Sequence, residues 1–219
     1  MIIEFFGLSS SGKSVFKRKI TKKGFRTFQQ GEISFLTKIF FFIKHFLFHP
    51  ASTIYLFGKL NTNKIKIKGL SLSKRLKIWR LRNFYLMFVL AKHEFFKNKK
   101  QKIFTDEFAL QSLFMILHKK SNKAEILEIL KNLPKSKAVF LFDGNKKLRY
   151  DAYENPHPLH VGATLLPGSF IDKKFAKQWM KTMEYNFDIV KKIIQESYKQ
   201  DQKAFKGINV SYPEIYLKK

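Results

Sequence analysis

Residues 1–20 read MIIEFFGLSSSGKSVFKRKI, and the centre of this stretch restricts the possible folds more than anything else in the chain. Gly7, Gly12, Lys13 and Ser14 satisfy the spacing G-x-x-x-x-G-K-[ST]. The apolar run before Gly7 has the length and composition of a strand, and residues 13–22 suit a short helix. A strand that runs through such a loop into a helix points successive backbone N–H groups at one spot, where the helix dipole also favours negative charge. Glycine permits the curl, and Ser9, Ser10 and Ser11 occupy the loop. Lys13 is placed to bridge the β- and γ-phosphates of a nucleotide, and the Ser14 hydroxyl to bind Mg²⁺. A random chain of this length matches the pattern about 1% of the time. The reading is a phosphate-binding loop for Mg·ATP.

The remaining pattern predicts one domain over residues 1–219. Hydrophobic residues make up 45% of the chain, enough for a real core. Cysteine is absent, which excludes disulfides, thiolate zinc sites and a cysteine nucleophile. The opening residues show neither a charged leader nor a small-residue cleavage site, so no signal peptide is expected and the location is read as cytoplasmic. Phe25 and Phe28 suggest a brief second strand. Residues 32–98 read as a mostly helical insertion covering a substrate. Within it, KIFFFIKHFLF is too short and too interrupted to span a bilayer; a buried helix is expected, with an amphipathic element on a membrane surface as the alternative.

KIFTDE reads as a third strand and FALQSLFMILHKK as its helix. Asn122 and Glu125 have capping-box spacing at the start of another helix. KAVFLFD is the clearest buried strand, residues 169–204 a long helical stretch, and KGINVSYPE a closing strand. Short apolar strands alternating with helices predict an α/β three-layer sandwich around a parallel, five-stranded sheet.

The formal charge of +27 invites a nucleic-acid reading. Only six of the 43 basic residues are arginine, however, and the lysines are scattered along the whole chain. No helix-turn-helix, RNA-binding or zinc-finger pattern accompanies them. A solvated surface, or attraction to phosphorylated substrates and to anionic lipid through peripheral attachment at the inner membrane face, accounts for the excess more simply.

A phosphate loop of this type needs a carboxylate on a neighbouring strand, to hold Mg²⁺ through water or to accept a proton. Asp143 ends the more apolar run, whereas Asp106, with Glu107 beside it, ends the mid-chain strand that doubly wound sheets place next to the loop strand. The topological argument favours Asp106, with Asp143 as a turn residue after its strand. Gln111 follows in the first turns of the next helix, as an acceptor ligand or as a cap.

These residues carry a resemblance. MIIEFFGLSSSGKS looks like the opening of the small P-loop kinases, the nucleoside and nucleotide kinase group that includes thymidylate kinase, and its serine-rich loop is similar to that of adenylylsulfate kinase. KIFTDEFALQS resembles the strand-plus-acid segment of the thymidylate-kinase-like proteins, and AVFLFD with its basic continuation resembles their fourth strand and lid. The aromatic, Lys-rich central helices look more like the kinases that decorate bacterial surface sugars.

The resemblance implies an ATP- and Mg²⁺-dependent phosphotransferase. Its acceptor would be small, with a sugar or glycolipid-linked sugar ahead of a nucleoside. It also implies that Asp106 is the base or Mg²⁺ partner, and that Lys146, Lys147 and Arg149 are lid cations within residues 144–170. The family lid offers several arginines, whereas this one has Arg149 alone, and lysine lacks the bidentate fork.

Arg75, Arg80 and Arg82 are alternative anchors for an anionic acceptor. His157 and His160, near Glu154, lack metal-ligand spacing. The GTPase motif N-K-x-D fails at Leu148. A non-catalytic ATP-binding protein at a membrane surface and a nucleic-acid-associated ATPase remain as alternative readings.

Overall fold

Every residue of β1 (Ile2–Gly7) is buried, and the strand is hydrogen-bonded along both edges. The computed structural model describes residues 1–8, 11–28, 31–62, 72–106, 108–117, 119–144, 173–205, 208 and 213–218. On one edge β1 pairs in parallel with β2 (Ile103–Thr105), in register Ile2–Ile103 to Glu4–Thr105. On the other it pairs in parallel with β3 (Ala138–Phe142), from Ile3–Ala138 to Gly7–Phe142. Two further strands, β4 (Tyr198–Gln200) and β5 (Glu214–Lys218), complete the order β2-β1-β3-β5-β4. Among the described residues the fold is α/β, an open five-stranded sheet with seven helices.

The sheet is mixed, which corrects the expectation of all-parallel pairing. The parallel part is where helices cross over: α1 (Lys13–Lys22), α2 (Phe35–Phe48), α3 (Pro50–Thr62) and α4 (Leu72–Phe96) separate β1 from β2. Likewise α5 (Ala109–Ile116) and α6 (Lys123–Asn132) separate β2 from β3. After β3, the helix α7 (Lys173–Ser197) runs directly into β4, and no helix lies among the described residues between β4 and β5. Without a crossover the chain reverses, so β5 inserts antiparallel to both β3 and β4.

Three smaller expectations shift for similar reasons. The segment around Phe25–Phe28 makes only a single parallel bridge, Thr27 to Phe104. The long C-terminal helix stops at Ser197 because residues 198–200 pair with β5 instead. The closing strand begins at Glu214, just after Pro213, which has no N–H to give to a ladder. The Asn122 cap forms as expected, its side chain accepting from Glu125 N at 2.8 Å.

Alternation along β1 sends its side chains to two cores. Ile3 and Phe5 join Phe16 and Ile20 of α1, Phe104, Phe140, Phe142 and Phe205 on one face. Ile2 and Phe6 join the larger cluster beneath α3 to α7 on the other. Phenylalanine supplies six of the eleven buried residues of the first core. Phe5 meets Phe16, Phe140 and Phe142 edge-on, with ring centroids 5.6, 5.6 and 5.7 Å away, a geometry that suits the ring quadrupoles.

The central helix α2 is not buried as expected. His45 is its one buried residue, while Leu36 and Leu47 are 76% and 71% exposed. A 14-residue helix this apolar carries more hydrophobic surface than its single packed side, against α4, can cover.

Truncating Phe5 to alanine leaves a void that the four flanking rings, Phe16, Phe104, Phe140 and Phe142, cannot close by rotation. Phe5→Ala is expected to cost about 3–5 kcal/mol, read as a lower urea midpoint at unchanged slope.

Candidate phosphate-binding site

The loop after β1 is held by two close approaches. A Cβ on Gly7 would lie 2.5 Å from the Phe142 carbonyl oxygen, and one on Gly144 would lie 2.7 Å from Ser11 Cα. Only glycine lets the end of β3 touch both the start and the far side of this loop. Gly12 stands at φ 92°, in the left-handed region, and turns the chain into α1. No side chain caps α1, whose first residues are Lys13 and Ser14, so its leading amides keep their anion-binding capacity.

Lys13 folds back across the loop. Its ammonium donates to the Gly7 and Leu8 carbonyls at 2.6 and 2.7 Å, with Ser11 Oγ at 3.5 Å. The cation therefore stands at the mouth of the loop, beside the α1 amino terminus. Ser14, in the first turn of α1, is exposed.

Because β2 and β3 flank β1, both candidate acids follow strands that border the loop strand. Asp106 lies immediately after β2 and accepts from Lys17 Nζ at 2.9 Å. Lys17 is one turn beyond Lys13 on α1, so this ion pair ties Asp106 to the helix that the loop opens. Asp143 follows β3 and is bound by Lys191 of α7 at 2.5 Å; it is the more exposed of the two acids, at 44% against 22%. The Asp143 contact raises the Lys191 pKa.

Lys17 was not anticipated, although its spacing of four from Lys13 places both lysines on one helix face. Ser9, Ser10, Glu107, Lys146, Lys147, Arg149, Glu154, His157, His160 and the side chain of Arg75 lie outside the described residues.

Below the loop sits a buried polar knot that the sequence reading missed. Glu4, in the middle of β1, is wholly enclosed. Its carboxylate accepts from Gln111 N at 3.0 Å and Ser136 Oγ at 2.8 Å, and from the Leu110 amide. Glu4 thus caps α5 from the neighbouring strand, since Phe108 at the N-cap offers no side-chain bond. Burial lifts the Glu4 carboxyl to about 7, against the opposing pull of its donors and of Lys92.

Lys92 of α4 is also fully enclosed. It donates to Thr105 Oγ1 at 3.2 Å and lies 4.0 Å from the Phe28 ring centre. The readable signal was an acid inside an apolar strand and a lysine inside an apolar helix, since buried charges come with partners.

Arg82 is corrected from acceptor ligand to brace. It is buried and donates to Met115 O at 3.0 Å and Leu60 O at 2.9 Å, joining α4 to the ends of α5 and α3. Gln111 contributes its backbone amide to Glu4, while its side-chain Oε1 is buried without a hydrogen-bond partner.

A second cluster links α2 to α4. His45, His49 and Glu94 each bring a donor atom within 4.8 Å of the others. Lys97 and Lys44 stand 2.6 and 3.8 Å from the same Glu94 oxygen, so two ammoniums already neutralise it. Burial holds His45 and His93 down to about 4, and the mutual repulsion of the imidazoles adds to the shift of His45.

Compared with protein-family models, curated proteins and solved structures, the chain matches none.

The two sets of titrations act in opposite directions. His45 and His93, with lowered pKa values, bind fewer protons folded than unfolded between about pH 4 and 6.5. Their contribution is complete above the unfolded value and is lost as pH falls through that window. Glu4, raised from 4.5 to about 7, binds more protons when folded, so its contribution is complete at low pH and is lost on raising pH through 7. Two groups outweigh one, so stability is expected to fall on acidification from pH 6.5 to 4.5. Glu4→Gln, which removes the opposing contribution, should steepen that fall. Urea midpoints measured at both pH values for the two proteins check this.

Proposed function

We propose that this chain is a P-loop phosphotransferase that moves the γ-phosphoryl group of Mg·ATP to a small acceptor. The observation that carries the reading is the strand–loop–helix around Gly7–Ser14. Backbone approaches there require glycine, the α1 amino terminus is free of a side-chain cap, and Lys13 is held at the loop mouth. These residues suit a polyphosphate: the leading amides of α1 are uncapped, the Lys13 ammonium lies close by on the Gly7 and Leu8 carbonyls, and the loop sequence contributes no carboxylate to repel it. Bound there, Mg·ATP would supply the transferable phosphoryl group and the counter-charge on its oxygens.

The chain's own residues then have distinct tasks. Lys13 would exchange its two carbonyls for β- and γ-phosphate oxygens, and the Ser14 hydroxyl would ligate the ion. Asp106 would accept the acceptor's proton or orient a water on Mg²⁺. Lys17 keeps the Asp106 carboxylate beside α1.

Asp106 is preferred to Asp143 because its ion pair is with α1, the helix of the loop itself, whereas Asp143 is held by α7. The helices α2–α4 would form the acceptor side, and a sugar or glycolipid-linked sugar remains ahead of a nucleoside on the resemblance of those helices.

The test is ADP release by the purified protein with Mg·ATP, with and without a panel of sugars, glycolipids and nucleosides. One acceptor class should stimulate release, and Lys13→Ala should abolish that stimulation together with nucleotide affinity. Asp106→Asn should keep ATP binding within a few-fold yet lower turnover by at least about 100-fold. ATP binding that Asp106→Asn leaves intact, with no acceptor stimulating the wild type, would favour a nucleotide-binding protein without transfer.

A further inference from the structure

We propose that the exposed face of α2 docks on an anionic lipid surface and lies in its headgroup region without crossing it. Leu36, Phe40, Ile43 and Leu47 follow one another at spacings of four, three and four. That spacing puts them in one stripe of the helix, and all four are exposed. On the opposite side α2 is committed to α4, through Phe35 on Phe84, Phe41 on Phe95 and Lys38 over Phe88. The stripe thus belongs to a fixed helix with no other element against it among the described residues.

Elsewhere on the same three helices, Phe42, Phe57, Trp79, Phe84 and Met87 among others line an open cavity of about 490 Å³ between α2, α3 and α4. Exposed apolar surface of this kind marks an interaction face.

Charge selects the occupant. Between Glu32 and Glu94 the chain contains nine lysines and three arginines and not one acidic residue, and of these only Arg82 and Lys92 are buried among the described residues. Lys44 lies over the Phe41 ring and Lys97 over the Phe48 ring, so two ammoniums, which share the one carboxylate of Glu94, flank the stripe at its carboxyl end. Apolar side chains beside lysines, with no acids on the segment, match acyl chains beneath anionic headgroups. Nucleic acid would answer the lysines but leave the leucines and phenylalanines without a counterpart.

Length and bend decide between lying on and spanning. At 1.5 Å per residue α2 is about 21 Å long, short of the roughly 30 Å hydrocarbon core. The next helix, α3, turns away by 112° and buries Leu56 and Leu60 in the core. No single helix among the described residues is long and apolar enough to cross.

The proposal does not depend on the phosphate chemistry, so the experiment separates the two. Full-length protein is floated with phosphatidylcholine vesicles and with phosphatidylcholine–phosphatidylglycerol vesicles. Wild type and Lys13→Ala should both float with the anionic vesicles, less at high salt, and bind neutral ones at least about tenfold more weakly.

The triple variant Phe40→Ser, Ile43→Ser, Leu47→Ser alters exposed positions only and should retain wild-type ellipticity. It should lose at least about tenfold in vesicle affinity. In a Trp179→Phe background, the emission of Trp79 beside the cavity should shift to the blue on binding, and the triple variant should not show this.

Equal binding by the triple variant would reduce the interaction to scattered lysine charge and overturn the docking face. So would an absence of binding to anionic vesicles. Flotation abolished by competing RNA, or a wild-type dimer that the triple variant makes monomeric, would assign the surface to those partners instead.

Discussion

The buried carboxylate of Glu4 holds more of this molecule in register than any other group. It sits in the strand that supports the phosphate loop, and its donors come from Ser136 just ahead of β3 and from the first turn of α5. Lys92 of α4 lies close enough to favour its ionised form. One group thus couples the central strand, its neighbour, the helix after the second strand and the longest helix of the cap. Such a network stabilises only when every member is satisfied, because an unpaired carboxylate in the interior costs several kcal/mol. Displacing α5 or α4 would leave Glu4 short of partners, so the relative position of sheet and cap is tightly specified.

The consequence for the candidate site is one of level. β2 is short and ends opposite Glu4, whereas β1 continues to Gly7 beside β3. Asp106 therefore emerges lower than the loop, alongside the second turn of α1, where Lys17 meets it. Asp143 emerges at the height of the loop, next to the Gly144–Ser11 contact, but is drawn toward α7. Strand length, as much as strand order, decides which acid shares a helix with the phosphate loop.

The parts of this arrangement that depend on local pattern were legible in the sequence. The strand–loop–helix at residues 2–22, the buried strand AVFLFD and the Asn122 cap follow from composition, spacing and capping chemistry over short windows. The reversal at β5 was not legible. Parallel pairing was inferred from strand–helix alternation, and alternation ends at β4 without a signal beyond Pro213. Nor was the Glu4–Lys92 relation, because it joins residues 88 apart in sequence and becomes a pair only once the sheet and α4 are assembled. Arg82 was misread for the same reason: an arginine among other basic residues reads as an anchor for an anionic acceptor, yet its guanidinium reaches inward to two helix-end carbonyls. Its pKa is lowered to about 10 by burial, which still leaves it cationic at neutral pH.

The helical cap departs from the usual partition of polar and apolar groups. Its inner side is mostly apolar, with Leu56, Leu60, Leu86, Val89, Leu90 and Phe96 in the core, yet it also encloses Arg82, Lys92 and Glu94, charges of a type rarely buried without partners. Its outer side exposes leucine, isoleucine and phenylalanine. Buried ion pairs seldom outperform apolar packing, and exposed apolar side chains contribute nothing to the fold. A cap that served only to cover the core would therefore gain stability from fewer charges inside and fewer apolar groups outside. The exposed apolar edge answers a demand from outside the fold, and docking on an anionic lipid surface, as proposed for α2, would meet it.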